Sequence, residues 1–299
     1  MQSSPLSIAW KLLRPPTLTA SIAPVLIGTG LALQGRPLRP LLFIAMLLAS
    51  MLIQSAANML NEYYDFKRGL DNAEMVGIAG AIVRDNVQPI TVLRITQFTL
   101  LIAFLIGVYI CAVTSWWVAV VGVLSTLFLY LYSGGPRPIS YTPFGEVTAG
   151  LIMGPVIILI SYFIQTESVT WGAVLASLPS ALLIGAILMA NNIRDIEHDI
   201  AGGRRTLAIV AGRSGAIRIL ATAFIVAYLW TIALVITHVL PTWALLVLLS
   251  SPLPFGVPRA FSKAKEAKDL QGAFKKTSAT LIAYAFLLFI GLLIQIAVR

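Results

Sequence analysis

The chain has 299 residues, of which 58% are hydrophobic and 11% are charged. A soluble domain carries about 25% charged residues, so this composition excludes an ordinary soluble protein and indicates a polytopic membrane protein. The formal net charge of +9 suits anionic lipids and anionic substrates. Nucleic acid is not expected as a partner, because the basic residues are scattered over loops among carboxylates. Cys111 is the single cysteine, which excludes a disulfide and a thiolate metal site.

Nine apolar segments follow one another, each close to the ~20 residues that a helix needs to cross a bilayer. They cover residues 16–34, 41–60, 94–112, 115–133, 145–164, 173–192, 217–237, 240–257 and 278–298. Because an open sheet would leave its backbone groups unsatisfied in lipid, they predict an all-α, polytopic fold with about nine transmembrane helices. No linker or low-complexity stretch divides the chain, so a single domain, 1–299, is expected.

Lys and Arg are distributed very unevenly between the two predicted sides of the membrane. One side carries the N-terminus and the loops near 61–93, 134–144, 193–216 and 258–277, which hold most of the basic residues. The other side holds only Arg36, Arg39 and Arg299. The excess of positive charge on cytoplasmic loops predicts a multi-pass protein of the cell membrane with a cytoplasmic N-terminus and an external C-terminus.

A first acidic cluster lies at the polar end of the second apolar segment. It begins with a polar stripe formed by Gln54, Asn58, Asn61 and Asp65. Their spacings of four, three and four residues fit within about 60° of one helical face. Such a stripe is costly in a membrane helix unless it lines a cavity. Gly69 predicts that the helix ends near that residue, after which the chain turns back and returns Asp71 to the site.

A second acidic cluster lies at the end of the sixth apolar segment. Asn191, Asp195 and Asp199 are each four residues apart, which places them on one helical face. Two carboxylates on one face repel each other unless a cation lies between them. The turn that follows, 202–206, exposes Arg204 and Arg205.

The two clusters share the pattern Asn, three residues, Asp, and they gather half of the 12 acidic residues in the chain. Both contain oxygen ligands only, which suit Mg²⁺ rather than zinc. Neighbouring arginines would complete an anion site, because a guanidinium matches phosphate oxygens with two hydrogen bonds. The alternative is that the carboxylates pair with these arginines as helix-end salt bridges. Two matching clusters on one membrane face favour metal binding.

Five stretches of the sequence resemble the UbiA superfamily of intramembrane aromatic prenyltransferases. Two of them are the acidic motifs, NEYYDFKRGLD (61–71) and NNIRDIEHDIAGGRRTLA (191–208). The other three are LRPPTLTASIAPVLIGTG (13–30), VGIAGAIVRDNVQP (76–89) and YSGGPRPISYTPFGE (132–146). Together they are most similar to the branch that prenylates 1,4-dihydroxy-2-naphthoate in menaquinone biosynthesis. The chain departs from the family at Glu62, where many members have Asp, and at Arg204, where relatives of this branch often have Lys.

The resemblance implies a polyprenyl diphosphate donor, an aromatic acceptor and Mg²⁺ as the cofactor. The catalytic carboxylates that it implies are Asp65, Asp71, Asp195 and Asp199. The implied Mg²⁺ ligands are Asn61, Asp65, Asp71, Asn191, Asp195 and Asp199. The implied substrate-binding residues are Arg14, Asn58, Lys67, Tyr132, Arg137, Arg204 and Arg205. Among these, Arg14 is the one expected to orient the acceptor carboxylate.

The implied reaction begins when the donor loses its diphosphate and leaves an allylic cation. The acceptor ring attacks this cation through carbon, with loss of CO₂. Aromatic faces would stabilise the cation, and the residues at the right depth are Tyr63, Tyr64, Tyr132, Tyr141 and Phe144.

Two other readings compete with this one. The first is a prenyltransferase of the same superfamily with another acceptor, such as 4-hydroxybenzoate. The second is an ion transporter, but transporters place ionisable residues near the membrane midplane in inverted repeats. Here the carboxylates lie at helix ends, and the two motif segments run in the same direction.

Overall fold

The computed structural model describes residues 5–70, 80–264 and 267–298, and the regular secondary structure of these residues is entirely helical. The α-helices are α1 (Pro5–Leu13), α2 (Thr19–Ala32), α3 (Pro40–Lys67), α4 (Ala81–Arg84), α5 (Pro89–Val113), α6 (Trp117–Ser133), α7 (Gly145–Leu151), α8 (Ile157–Thr166), α9 (Trp171–Arg194), α10 (Ile196–Ala201), α11 (Leu207–Ile236), α12 (Pro252–Phe255), α13 (Val257–Lys263) and α14 (Gln271–Ala297). Short 3₁₀ helices cover Pro15–Thr17, Ile139–Tyr141, Thr242–Ser250 and Ala267–Leu270, and a π-helical segment covers Ile152–Val156.

Seven helical stretches among the described residues are long and apolar enough to cross a membrane. They are Pro40–Lys67, Pro89–Val113, Gly145–Thr166, Trp171–Arg194, Leu207–Ile236, Thr242–Lys263 and Gln271–Ala297. The apolar helices α2 and α6 are shorter, with 14 and 17 residues. At 1.5 Å per residue, α2 is about 21 Å long, which is less than the ~30 Å of a bilayer core. The all-α, multi-pass prediction is therefore confirmed, but the count of nine spans is not.

Proline residues explain the irregular form of the eighth apolar segment. Residues Thr242–Ser250 form a 3₁₀ helix, and the chain then continues through α12 and α13. Pro252 and Pro258 lie in the first turns of α12 and α13. A proline is tolerated there, but it cannot continue the helix before it, because it has no backbone N–H and its ring clashes with the preceding turn.

The buried core joins the two ends of the chain. Its largest cluster includes Ile27 of α2, Leu183 of α9, Leu220 of α11 and Leu281 of α14. By contrast, the outward faces of α5 and α6 carry large apolar side chains that are mostly exposed, such as Phe98 and Trp117. Apolar surface of this extent suits a lipid environment.

Close packing fixes α9, which carries the second acidic motif, against α7 and the π-helical segment. A Cβ atom on Gly150 would lie 2.6 Å from the carbonyl oxygen of Ala181, and one on Gly154 would lie 2.9 Å from the Ala181 nitrogen. Only glycine permits this approach of two helix backbones.

Candidate active site

The first acidic motif ends in a helix cap that the sequence predicted. Helix α3 ends at Lys67, and Gly69 has a φ of 72°. The N–H of Leu70 donates to the carbonyl of Asp65 at 2.9 Å, and the N–H of Gly69 donates to Phe66 at 2.9 Å. This pair of hydrogen bonds is the Schellman motif, and it places Asp65 in the last turn of α3.

The second acidic motif ends in the same kind of cap. Gly203 has a φ of 73°. The N–H of Arg204 donates to the carbonyl of Asp199 at 2.9 Å, and the N–H of Gly203 donates to Ile200 at 3.0 Å. Asp199 therefore occupies the same position relative to its cap as Asp65 does. Both carboxylates lie where the partial negative charge of a helix C-terminus makes an anion unfavourable, so each requires a nearby cation.

Arg204 joins the two motifs by contacting one aspartate from each. Its Nη2 donates to Oδ1 of Asp65 at 2.7 Å, and its Nη1 donates to Oδ1 of Asp199 at 3.1 Å. The side chain of Asp199 is only 3% exposed. Two motifs that are more than 130 residues apart along the chain thus form one site.

For Asp199 and Arg204, burial and the charge of the paired side chain shift the pKa in opposite directions. Burial raises the pKa of Asp199 to about 6, whereas Arg204 acts to lower it and Asp195 to raise it. Burial would lower the pKa of Arg204, but Asp65 and Asp199 hold it above its ordinary value. A single guanidinium cannot neutralise both carboxylates.

The remaining ligands predicted in the second motif pair with a different arginine. Arg194 donates to both carboxylate oxygens of Asp195, at 2.7 and 2.6 Å, and to Oδ1 of Asn191 at 2.7 Å. Helix α9 ends at Arg194, yet the hydrogen bonds of the helix continue from Asp195 to Asn191 and from Asp199 to Asp195. The three residues therefore follow one another on successive turns, as their spacing predicted. The salt-bridge alternative also describes the contacts that these carboxylates make.

Two polar residues of the predicted stripe on α3 contact neighbouring protein groups. Asn58 donates to the carbonyl of Leu13 at 3.2 Å and to Oγ1 of Thr17 at 2.8 Å, which fastens the N-terminal segment to α3. Asn61 accepts a hydrogen bond from the hydroxyl of Ser133.

Arg14 lies beside α3 in a strained backbone conformation. Its φ is 48°, and its Nη2 lies 3.2 Å from Oε2 of Glu62. Glu62 is 1% exposed and also accepts from the N–H of Ile82 at 3.1 Å. The Nε of Arg14 is buried without a hydrogen-bond partner among the described residues.

The other predicted substrate-binding residues lie at different distances from the acidic centre. Tyr132 is partly buried, and the charges of Arg204, Asp65 and Asp199 all act on it. Lys67, Arg137 and Arg205 are exposed. Asp71, which was predicted as a metal ligand, lies outside the described residues.

Arg68 is a site residue that the sequence analysis did not single out. It donates to the carbonyls of Ser133 and Gly135 at 2.6 and 3.0 Å. Its guanidinium carbon lies 5.3 Å from the centre of the Tyr64 ring and 5.2 Å from that of Tyr141. It therefore holds the loop after α6 against the end of α3. The signal available in the sequence was that Arg68 lies inside the first acidic motif, 61–71.

Glu146 and His198 are two further residues near the site that the sequence analysis did not single out. Glu146 is 4% exposed, and its Oε1 accepts from the amide of Asn192 at 2.8 Å. His198 lies in α10, and its Nε2 is 2.8 Å from the carbonyl oxygen of Leu70.

The acidic centre has the properties of a cation site, although the described residues do not form a closed cage. In the described part of the chain, no three His, Cys, Asp or Glu side chains converge on one point. Oδ2 of Asp199, however, is buried and has no hydrogen-bond partner there. Magnesium is commonly held by one or two carboxylates together with substrate oxygens. The buried carboxylate of Asp199, with its unsatisfied oxygen, beside the partly buried carboxylate of Asp65 fits that requirement.

Comparisons with known proteins identify the family to which this chain belongs. The sequence model of the UbiA prenyltransferase family matches residues 21–290. The protein named 1,4-dihydroxy-2-naphthoate octaprenyltransferase of Bacillus subtilis (strain 168) is 51% identical over 288 residues, which is 96% of this chain and 93% of that protein.

Solved structures share the fold. The apo structure of a UbiA homolog from Aeropyrum pernix K1 has a TM-score of 0.70 at 15% identity and covers 93% of this chain and 98% of its own. A UbiA homolog from Archaeoglobus fulgidus, solved with DMAPP and Mg²⁺, has a TM-score of 0.64 at 15% identity and covers 94% of this chain and 99% of its own. At such identities these two structures establish the fold alone.

Proposed function

Because this chain belongs to the UbiA prenyltransferase family, we propose that it transfers a polyprenyl group from a polyprenyl diphosphate to 1,4-dihydroxy-2-naphthoate. Diphosphate and CO₂ are lost, and the product is demethylmenaquinol, a precursor of menaquinone. The observation that carries the choice of acceptor is the 51% identity, over 96% of the chain, to the Bacillus subtilis octaprenyltransferase for this naphthoate. The two acidic motifs, which Arg204 joins, supply carboxylates for Mg²⁺ and a guanidinium for the diphosphate.

The proposed Mg²⁺ site draws on both motifs. Its ligands would come from Asn61, Asp65, Asp71, Asn191, Asp195 and Asp199. When bound, the metal supplies positive charge beside the diphosphate oxygens and so stabilises the leaving group. The unsatisfied Oδ2 of Asp199 supports this assignment.

Basic side chains at the same end of the molecule are proposed to bind the diphosphate. Arg204 is the best placed, because it already lies between the two motifs and its planar guanidinium can bind two phosphate oxygens at once. Lys67, Arg137 and Arg205 are exposed, which leaves them able to reach a diphosphate. Their positive charge would also stabilise negative charge that develops as the C–O bond breaks.

Tyr132 is our first choice for stabilising the allylic cation. The rings of Tyr64 and Tyr141 already have guanidinium groups within 5.3 Å of their centres, Arg68 beside both rings and Arg204 beside Tyr141. The positive charge already present there would disfavour the allylic cation. Phe144 is 69% exposed. Tyr132 is partly buried and lies close enough to the acidic centre for Asp65 and Asp199 to act on it electrostatically.

Arg14 and Asn58 are proposed to bind the acceptor. Arg14 would orient the naphthoate carboxylate before CO₂ is lost, and its buried Nε is available to donate. Asn58 holds the backbone of Leu13 next to it, so its contribution to acceptor binding would be to keep Arg14 in place.

We also propose that the N-terminus is cytoplasmic and that the chain forms a single domain. The clustering of basic residues supports the orientation, and the core that joins α2 to α14 supports the single domain. A membrane-impermeant maleimide would test the orientation. In intact cells it should label a cysteine at Glu167 and not one at Arg259, and the opposite pattern would reverse the topology.

The acceptor is tested by product analysis with the purified protein in detergent. Mg²⁺, a series of prenyl diphosphates and either 1,4-dihydroxy-2-naphthoate or 4-hydroxybenzoate would be supplied, and products would be read by mass spectrometry. A prenylated, decarboxylated naphthoquinol that disappears with EDTA is the expected result. Prenylation of 4-hydroxybenzoate alone would refute the acceptor assignment. No diphosphate release with either acceptor would refute the enzyme and favour a transporter.

A further inference from the structure

Arg204 holds the two carboxylates that are also proposed to bind metal. Its two terminal nitrogens bind Asp65 at 2.7 Å and Asp199 at 3.1 Å. The three side chains together carry a net charge of −1, and the side chains of Arg204 and Asp199 are only 18% and 3% exposed. Solvent therefore screens this charge poorly.

A divalent cation and Arg204 cannot both occupy these oxygens without cost. A metal that binds Asp65 and Asp199 would lie beside the guanidinium, and the two positive charges would repel each other. Arg204 would have to leave at least one carboxylate. A buried guanidinium that loses its partner is strongly unfavourable, so it needs another anion close by.

The surroundings of Arg204 leave donors ready for such an anion. Its Nε is buried and has no hydrogen-bond partner among the described residues. Its guanidinium carbon lies 5.0 Å from the centre of the Tyr141 ring, whose face supports a cation but accepts no charge-assisted hydrogen bond. The backbone is fixed on both sides, because the N–H of Arg204 bonds to Asp199 and that of Arg205 to Tyr141. Only the side chain therefore has to move.

We propose that Arg204 is a counter-ion that exchanges between the motif carboxylates and the diphosphate. It binds Asp65 and Asp199 before substrate arrives and transfers to the diphosphate when the donor enters. Metal and diphosphate consequently bind in synergy, and metal alone binds weakly. This inference rests on the proposed function, since it takes a diphosphate as the incoming anion.

Direct metal binding tests the exchange without any acceptor. Binding of Mn²⁺ to the purified full-length protein would be measured by electron paramagnetic resonance, with and without inorganic diphosphate. For the wild type, we expect diphosphate to tighten Mn²⁺ binding by about 5- to 150-fold, the usual range of coupling between sites. Arg204→Gln should tighten binding of Mn²⁺ alone and remove most of the effect of diphosphate.

Two further variants make the result specific. Arg218→Gln removes the same charge from an exposed position on α11 and should behave as the wild type does. Arg204→Lys keeps the charge but cannot bind both carboxylates with a planar fork, so its Mn²⁺ affinity should lie between those of the wild type and Arg204→Gln. If Arg204→Gln does not fold, the Lys variant alone decides the question.

The outcomes separate this inference from the proposed function. It is overturned if the wild type binds Mn²⁺ equally well with and without diphosphate, or if the Arg204 variants bind Mn²⁺ alone no more tightly than the wild type. Synergy that depends on Arg204 supports it even if no naphthoquinol is formed, in which case only the acceptor assignment fails. Normal product formation without synergy leaves the function standing and removes the exchange.

Discussion

At the level of single residues, the charges in a sequence do not distinguish a metal site from a set of salt bridges. Asp65 and Asp199 were predicted to share a site, and the structure joins them through Arg204. The salt-bridge alternative and the metal alternative require the same charges at the same positions. Sequence alone could therefore predict that these residues lie near one another, but it could not tell that an arginine binds both carboxylates. Contacts such as that of Arg68 with Tyr141 depend on three-dimensional packing and left no signal in the spacing.

Glu146 illustrates a buried charge that supports the second motif through a neighbour. Its carboxylate accepts from the Asn192 amide at 2.8 Å, and both residues are buried. Removing the acceptor would leave the amide without a partner, which costs about 1–3 kcal/mol. Glu146→Ala should lower the free energy of unfolding by that amount, measured by denaturant unfolding in detergent, whereas Glu146→Gln retains an acceptor oxygen and should lose less.

Glu167 provides the matched control for this prediction. Its side chain is 63% exposed and pairs with Arg39 at 2.9 Å. An exposed ion pair contributes about 0–1 kcal/mol, so Glu167→Ala should have little effect. The account of Glu146 would be wrong if the two alanine variants were equally stable.

At the scale of helices, the two capped ends are the organising feature of the site. The end of α3 was predictable because Gly69 follows the polar stripe at the position where a left-handed residue closes a helix. At residues 202–206 a turn was predicted, but not that Gly203 closes a helix in the same way as Gly69 does. Recognising that both aspartates stand in the same relation to a cap required the observed hydrogen bonds.

Gly203→Ala tests the second cap. The residue has a φ of 73°, and an added Cβ would have no atom within 4 Å, so the change acts through backbone conformation alone. A left-handed conformation costs a residue with a Cβ roughly 1–2 kcal/mol. The variant should be destabilised by that amount in thermal unfolding monitored by circular dichroism, and it should lose prenyl transfer because Arg204 follows directly.

Gly107→Ala is the appropriate comparison for this change. Gly107 lies inside α5 and an added Cβ would also have no atom within 4 Å. Alanine is favoured over glycine in a helix interior by about 0.5–1 kcal/mol, so this variant should be as stable as the wild type or more so. Equal behaviour of the two variants would show that the left-handed cap has no special role.

For the whole molecule, composition and hydropathy predicted the class of fold but not the lengths of all its helices. Each apolar segment that was identified contains a helix, and seven helical stretches in the described residues could cross a bilayer. The first segment was expected to extend over 16–34, but α2 covers only Thr19–Ala32 because a 3₁₀ turn at Pro15–Thr17 precedes it. The sequence shows that prolines lie before this helix. Whether the residues around them form a 3₁₀ turn depends on how the neighbouring helices pack.

Distant parts of the chain are proposed to contribute their aspartates to one catalytic unit. The most direct test compares initial rates of prenyl transfer for Asp65→Asn, Asp199→Asn and the double variant, with the exposed Glu167→Gln as a control. Each single change should reduce kcat/KM by about 10²–10³. Because groups that act together are strongly non-additive, the double variant should be less than about tenfold slower than the worse single variant. Losses that multiply, or a single variant with the wild-type rate, would contradict the account.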